Sequence, residues 1–313
     1  MKLSIVTDSM GALSFEAMLD KVAGMGIQAV EMTTGGWSPA PHLRMNELLE
    51  SAEKRAEFQE ALAKRSIELC ALNVSGNPLD PGRLGAEHRD ATEKTMKLAQ
   101  LLGVRKVIMM SGLPAACAED KVPNWISYTV SWPPVLKDYL NYQWNDVAIP
   151  YWKDLVAKAT DCGVERIALE NFSSMLVYNP ETLFRLRDAV GPVVGLNLDP
   201  SHLFWMGADP IAAARALGPA IHHVHGKDSR LERGLVDVNG VLETKEVTDT
   251  VSRAWNYVAV GCGHDLQWWR EFFSVVRMLG YNEHVSLEME DLTMSVEAGI
   301  QTSVEALKQT LSL

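Results

Sequence analysis

The stretch 221–228, IHHVHGKD, sets three histidines, a lysine and an aspartate around two apolar residues, Ile221 and Val224. Its start reads as a buried strand, although five of its eight side chains are costly to bury. Side chains alternate faces along a strand. His223, His225 and Lys227 therefore share one face with Ile221, while His222, Val224 and Gly226 share the other. Such a strand is understandable if the polar face ends at a site that uses those groups, because buried polar groups need partners.

Seven other short runs resemble it in length: 3–8 LSIVTD, 29–32 AVEM, 67–73 IELCALN, 106–110 KVIMM, 166–171 RIALEN, 193–199 VVGLNLD and 284–290 HVSLEME. Amphipathic stretches such as FEAMLDKVAGMG and RDATEKTMKLAQLLG lie between them. Asn179-Pro180 and Asp209-Pro210 each place a capping side chain before a proline suited to the first helical position. Gly24, Gly26, Gly103 and Gly163 fall where helices should stop. Eight strands alternating with helices predict a parallel sheet, and polar residues at the strand ends favour a closed (β/α)8 barrel. An open doubly wound sheet is the alternative, but TDSMGA after the first strand lacks the glycine-rich phosphate turn of that fold. Two connections, 111–149 after the fourth strand and 229–264 after the seventh, are too long for plain loops. In a barrel both would lie over the C-terminal mouth, as a lid or a subunit contact. The first is rich in Trp and Tyr, which suits stacking on sugar rings or packing against a partner.

The chain has 313 residues, 47% of them hydrophobic and 22% charged, as in an ordinary globular protein. No linker divides it, so residues 1–313 are expected to form a single domain. A net charge of −11 argues against a nucleic-acid surface. The four cysteines form no C-x-x-C pair, which fits a reduced, cytoplasmic protein. The opening run MKLSIVTDSMG is too short for a signal sequence, and no run is long enough to span a membrane.

The parity rule extends to neighbouring strands. It pairs Ala168 with Glu170, Asn197 with Asp199, and Ser286 with Glu288 and Glu290. A single strand-end glutamate is ordinarily a salt-bridge partner. Four consecutive strands aiming acidic or imidazole groups at one place point to a divalent cation held by Glu170, Asp199, His225 and Glu288. This mixed oxygen and nitrogen set suits Mn2+ first, with Mg2+, Co2+, Fe2+ or Zn2+ as alternatives. His223 reads as a core or supporting histidine. Lys227 reads either as a substrate anchor or as an ion-pair partner of Asp228 or Glu290. His202, three residues after Asp199 in DPSH, can orient the site or contact a sugar hydroxyl. Trp37 and Asn73 are assigned with Lys227 to the substrate side. His42, His88 and His284 read as surface or structural residues.

Across nearly its whole length the chain resembles the sugar phosphate isomerase/epimerase family of the xylose-isomerase-like, AP-endonuclease-2 barrel superfamily. The resemblance is carried by EMTTGGWSPAPH, SGNPLDP, PNW, IPYWKDL, LVYNPETLFRLRDAVGP, NLDPSHLFWMG, HVHGKD, NGVLETK, GCGHD and GYNEHVSLEMEDLTMSVEAGI. It implies metal ligation at Glu170, Asp199, His225 and Glu288, proton transfer by Glu170 and Glu288, and substrate contacts by His202 and Arg253. The chain departs from the family pattern at ENFSS after the fifth strand, and at Ser75 and Asp80, where many relatives have histidine. The implied chemistry is proton transfer beside a carbonyl, through an enediolate stabilised by the cation. The expected activity is a sugar isomerase or epimerase. The alternative is a lyase, the large subunit of a deglycosidase acting on 3-keto-glycosides with a small partner subunit. The expected assembly is a homo-oligomer, or a hetero-oligomer under the lyase reading. A DNA-repair endonuclease and a non-enzymatic sugar-binding scaffold share the fold. The acidity argues against the first and the intact ligand set against the second.

Overall fold

The computed structural model describes residues 1–130 and 134–311. Residues 131–133 of the aromatic-rich connection lie outside the described residues. Eight parallel strands form a closed barrel: β1 Lys2–Val6, β2 Ala29–Thr33, β3 Glu68–Asn73, β4 Lys106–Met109, β5 Arg166–Glu170, β6 Val194–Leu198, β7 Ile221–Gly226 and, after an inserted pair, β10 His284–Leu287. The order around the barrel is β1-β10-β7-β6-β5-β4-β3-β2. All eight expected strands are present, most of them shorter by a residue or more at one end or both. Among the described residues, no helix is long and apolar enough to cross a membrane.

Contacts divide the chain into two compact units. The first comprises Met1–Glu31, Ala61–Cys70 and Asn197–Leu313; the second comprises Met32–Glu60 and Ala71–Leu196. In the second unit β4 pairs with both β3 and β5, with Asn73 opposite Ile108 and Met109 opposite Leu169. The aromatic-rich connection there forms a helix at Val135–Asn141 and a wide π-helical segment at Tyr142–Ala148, which runs into the helix Ile149–Asp161. Asn179 caps the helix Pro180–Val190 by accepting from the Thr182 N–H, as its sequence predicts.

In the first unit β10 lies between β1 and β7, with Ser286 opposite both Ser4 and His225. The two faces of β7 behave as parity requires. His223 and His225 are fully buried. Gly226 faces the other way, and a Cβ there would come within 3.0 Å of Leu307 in the helix Val296–Thr310. The helix Leu266–Met278 is capped by Asp265 and turns Trp269, Phe272, Phe273 and Val276 inward. This is the i, i+3, i+4, i+7 stripe of an amphipathic helix.

The connection after β7 carries a ribbon of its own. Strand β8, Asp228–Leu231, pairs antiparallel with β9, Trp255–Val258, and the helix Arg233–Asn239 lies between them. Asp228 fixes the return of this excursion. Its Oδ2 accepts the backbone N–H groups of Gly261, Gly263 and His264 at 3.0–3.1 Å, while Oδ1 accepts that of Ser229 and lies 2.8 Å from His264 Nδ1. A Cβ on Gly263 would meet the Ser229 carbonyl oxygen at 2.3 Å, so the turn requires glycine. Asp228→Ala would strip several buried donors of their acceptor, at about 1–3 kcal/mol each before rehydration. We expect a loss of at least about 3 kcal/mol of stability by urea denaturation. An unchanged midpoint would show that the cradle is dispensable.

Candidate metal centre

Asp199 follows β6 and has two tasks. Its Oδ1 accepts the Ser201 N–H at 2.8 Å and caps the helix Pro200–Met206, which proline begins. Its Oδ2 lies 3.8 Å from His225 Nδ1 and 3.4 Å from His202 Nε2. His225 Nδ1 also lies 3.2 Å from Glu288 Oε2, just beyond the end of β10. Glu170 closes β5 and is buried. Within the first unit, Asp199, His225 and Glu288 each offer a ligand-type atom within 4.8 Å of the others. Three of the four residues named from the sequence therefore meet there, while Glu170 belongs to the second unit.

Lys227 is the cation nearest this cluster on its own strand. Its Nζ sits 2.9 Å from Glu288 Oε2, 2.5 Å from Glu290 Oε2 and 4.5 Å from the centre of the Tyr257 ring. Of the two ion-pair partners considered from the sequence, Glu290 is engaged. Asp228, the adjacent residue, is instead committed to the backbone turn at 261–264, as strand alternation would place it.

The charges stabilise one another. Burial would lower the Lys227 pKa, but Glu288 and Glu290 outweigh it and hold the ammonium well above its ordinary value. Burial would raise Glu288, yet Lys227 and His225 draw it down to about 2. Burial pushes Asp199 up, and His202, His225 and Lys227 together bring it below the usual carboxylate range. His225 is opposed by burial too, but Glu31 and Glu288 hold its pKa well above the imidazole norm. Without an ion Asp199 and Glu288 thus stay ionised and His225 is held protonated. Carboxylates beside one imidazole make a hard, oxygen-rich donor set that fits a divalent cation, with Asp199 buried and Glu288 partly exposed. A cation bound there would have to displace the imidazole proton, so its affinity would rise with pH.

His202 is fully buried, with Nδ1 3.1 Å from the Tyr257 hydroxyl, and so bridges Asp199 to the ribbon. Arg253 donates to the Lys245 and Trp255 carbonyls and stacks over the Trp255 ring. In the second unit, the Asn73 side chain accepts the Ser75 N–H, and Trp37 is half exposed with its edge toward His88. His42, His88 and His284 are buried; His88 Nδ1 accepts the Asn77 N–H, and His284 lies 3.2 Å from Glu68. Two residues were not singled out from the sequence. Tyr257 lies on a ribbon strand whose register depends on a long excursion. Glu31, in the buried strand β2, contacts both His223 and His225. A carboxylate inside AVEM was the available signal for it.

Known proteins share this architecture. The chain is 77% identical, over the full length of both, to the uncharacterized protein YfiH of Bacillus subtilis strain 168. Among solved structures it is similar to the probable 3-DHS dehydratase AsbF of Bacillus anthracis, at 17% identity and TM-score 0.68, covering 98% of this chain and 99% of that one. It is also similar to the IOLI protein with a bound zinc atom, at 21% identity and TM-score 0.66 over the whole of both chains. A D-psicose 3-epimerase crystallised in the presence of D-fructose aligns at 14% identity and TM-score 0.59, covering 98% and 97%. At these identities the structures show the fold alone. A family model described as xylose isomerase-like TIM barrel matches residues 19–310, and the chain belongs to that family.

Proposed function

We propose that the protein is a divalent-metal-dependent sugar isomerase or epimerase that moves a proton on a carbon beside a carbonyl, with Mn2+ as the proposed ion. The observation that carries this reading is the convergence of Asp199, His225 and Glu288, with a protonated Lys227 against Glu288; Glu170 is the proposed fourth ligand. A bound cation would supply positive charge beside the substrate carbonyl, which acidifies the neighbouring C–H. The chain's own groups do the rest. Glu288, ionised and one-fifth exposed, is the group through which a proton can be exchanged with a ligand, and Glu170 is its proposed counterpart. Lys227 keeps Glu288 ionised between turnovers and offers its remaining N–H to a substrate oxygen. His202 and Arg253 are proposed to hold substrate hydroxyls, and Trp37 and Asn73 remain proposed substrate residues.

The test is NMR in D2O on metal-free and Mg2+-loaded protein, supplied in parallel with free ketoses, sugar phosphates and 3-keto-glycosides. Metal-dependent deuterium uptake beside the carbonyl, with sugar products only, is the expected result. Release of an aglycone would assign the lyase reaction instead. No exchange from any of the three substrate classes would contradict the isomerase reading.

A further inference from the structure

Glu31 is fully buried, and a buried carboxylate is expensive unless its charge is matched. Both of its oxygens lie 3.3 Å from Nε2 of His225, and Oε2 lies 3.0 Å from Nε2 of His223. The support continues downward. His223 Nε2 is 2.9 Å from Ser286 Oγ, and Ser286 Oγ is 2.8 Å from Ser4 Oγ. All four of these partners are fully buried. The second nitrogen of the His225 ring points the other way, with Nδ1 3.2 Å from Glu288 and 3.8 Å from Asp199.

We propose that Glu31 is a positioning residue that fixes His225 as a metal ligand: its carboxylate accepts the Nε2 proton and turns the Nδ1 lone pair toward Asp199 and Glu288. A carboxylate can only accept at this position, so a neutral His225 ring carries its proton on Nε2. Carboxylates behind ligating imidazoles also raise their basicity and hold the ring angle. His223 then has a role distinct from ligation. Its Nε2, which also meets Ser286 Oγ, holds the same Glu31 oxygen that faces His225. This explains why two buried histidines stand two residues apart on one face of β7.

The inference rests on the metal-centre reading. A competing use of the same trio is a second cation held by Glu31, His223 and His225. That reading would leave both Nε2 atoms coordinated rather than hydrogen-bonded.

Co2+ alone is the probe, titrated by calorimetry and visible absorption into the whole chain and into Glu31→Gln. We expect one Co2+ per chain in both proteins, a dissociation constant about 10- to 100-fold weaker in the variant, and altered Co2+ bands. Unchanged affinity and bands in a folded Glu31→Gln would overturn the assignment. Two ions in the wild type and one in the variant would assign the trio to a second cation and overturn it as well. If the wild type binds no Co2+, the metal-centre reading itself fails, and this inference with it. A variant-free check covers the case in which Glu31→Gln does not fold. In Zn2+-loaded wild type labelled with 15N-histidine, the His225 proton should appear on Nε2; a proton on Nδ1 would overturn the assignment.

Discussion

Glu288→Gln is expected to slow proton exchange beside the substrate carbonyl by about 10²- to 10⁴-fold, the usual worth of a general acid or base. Glutamine keeps the shape and one acceptor oxygen but cannot take a proton. The fold should survive, because Lys227 retains Glu290 at 2.5 Å. The His225 contact at 3.2 Å loses its charge, so metal affinity should weaken in parallel. The two effects separate by measurement. Exchange is followed at saturating metal, where weaker binding no longer limits the rate, and melting is followed without metal. Wild-type exchange at saturating metal would remove Glu288 from proton transfer while leaving it a ligand.

Lys227→Met should have the largest effect on the metal-free protein. The ammonium is nearly inaccessible and is the charge that draws Glu288 down most strongly. Removing one member of a buried pair leaves the other charge uncompensated, which typically costs about 3–5 kcal/mol. Glu290 is half exposed and can be rehydrated, so the lower end of that range applies here. The Lys227 pKa is raised above its unfolded value. Its contribution is therefore fully present below the unfolded pKa near 10.5 and lost only as pH rises through the higher folded value. At neutral pH the whole penalty should appear. Adding Mg2+ should raise the melting temperature of the variant more than that of the wild type, because the ion replaces the missing positive charge. Equal stability of the two metal-free proteins would show that Lys227 does not balance the site.

The barrel strands and the faces of their strand-end side chains were legible because they rest on local rules. Period-two alternation placed His223 and His225 together, and Asn179-Pro180 and Asp209-Pro210 announced two helix starts. The same alternation sends Lys227 and Asp228 in opposite directions, which already disfavoured pairing them. Glu31 leaves no mark in AVEM beyond a carboxylate inside a strand; its contacts are made 192 to 194 residues later in sequence, with His223 and His225. Tyr257 and the Asp228 cradle were hidden for a related reason. Both depend on an antiparallel ribbon whose two strands are separated by a long, polar excursion, and pairing across such a gap leaves no periodic trace. The π-helical turn at Tyr142–Ala148 likewise has no signature in composition.

Asp199, His225, Glu288 and Glu170 are proposed to hold one divalent cation. Asp199→Asn tests it most directly, because asparagine keeps the oxygen that caps the helix Pro200–Met206 while losing the charge that faces His225. Mn2+ binding should be measured by electron paramagnetic resonance on wild type and variant at the same pH. One bound Mn2+ per wild-type chain is expected, with a loss of affinity of at least about 100-fold in a folded Asp199→Asn. Equal Mn2+ binding by the two proteins, or no binding by the wild type, would contradict it.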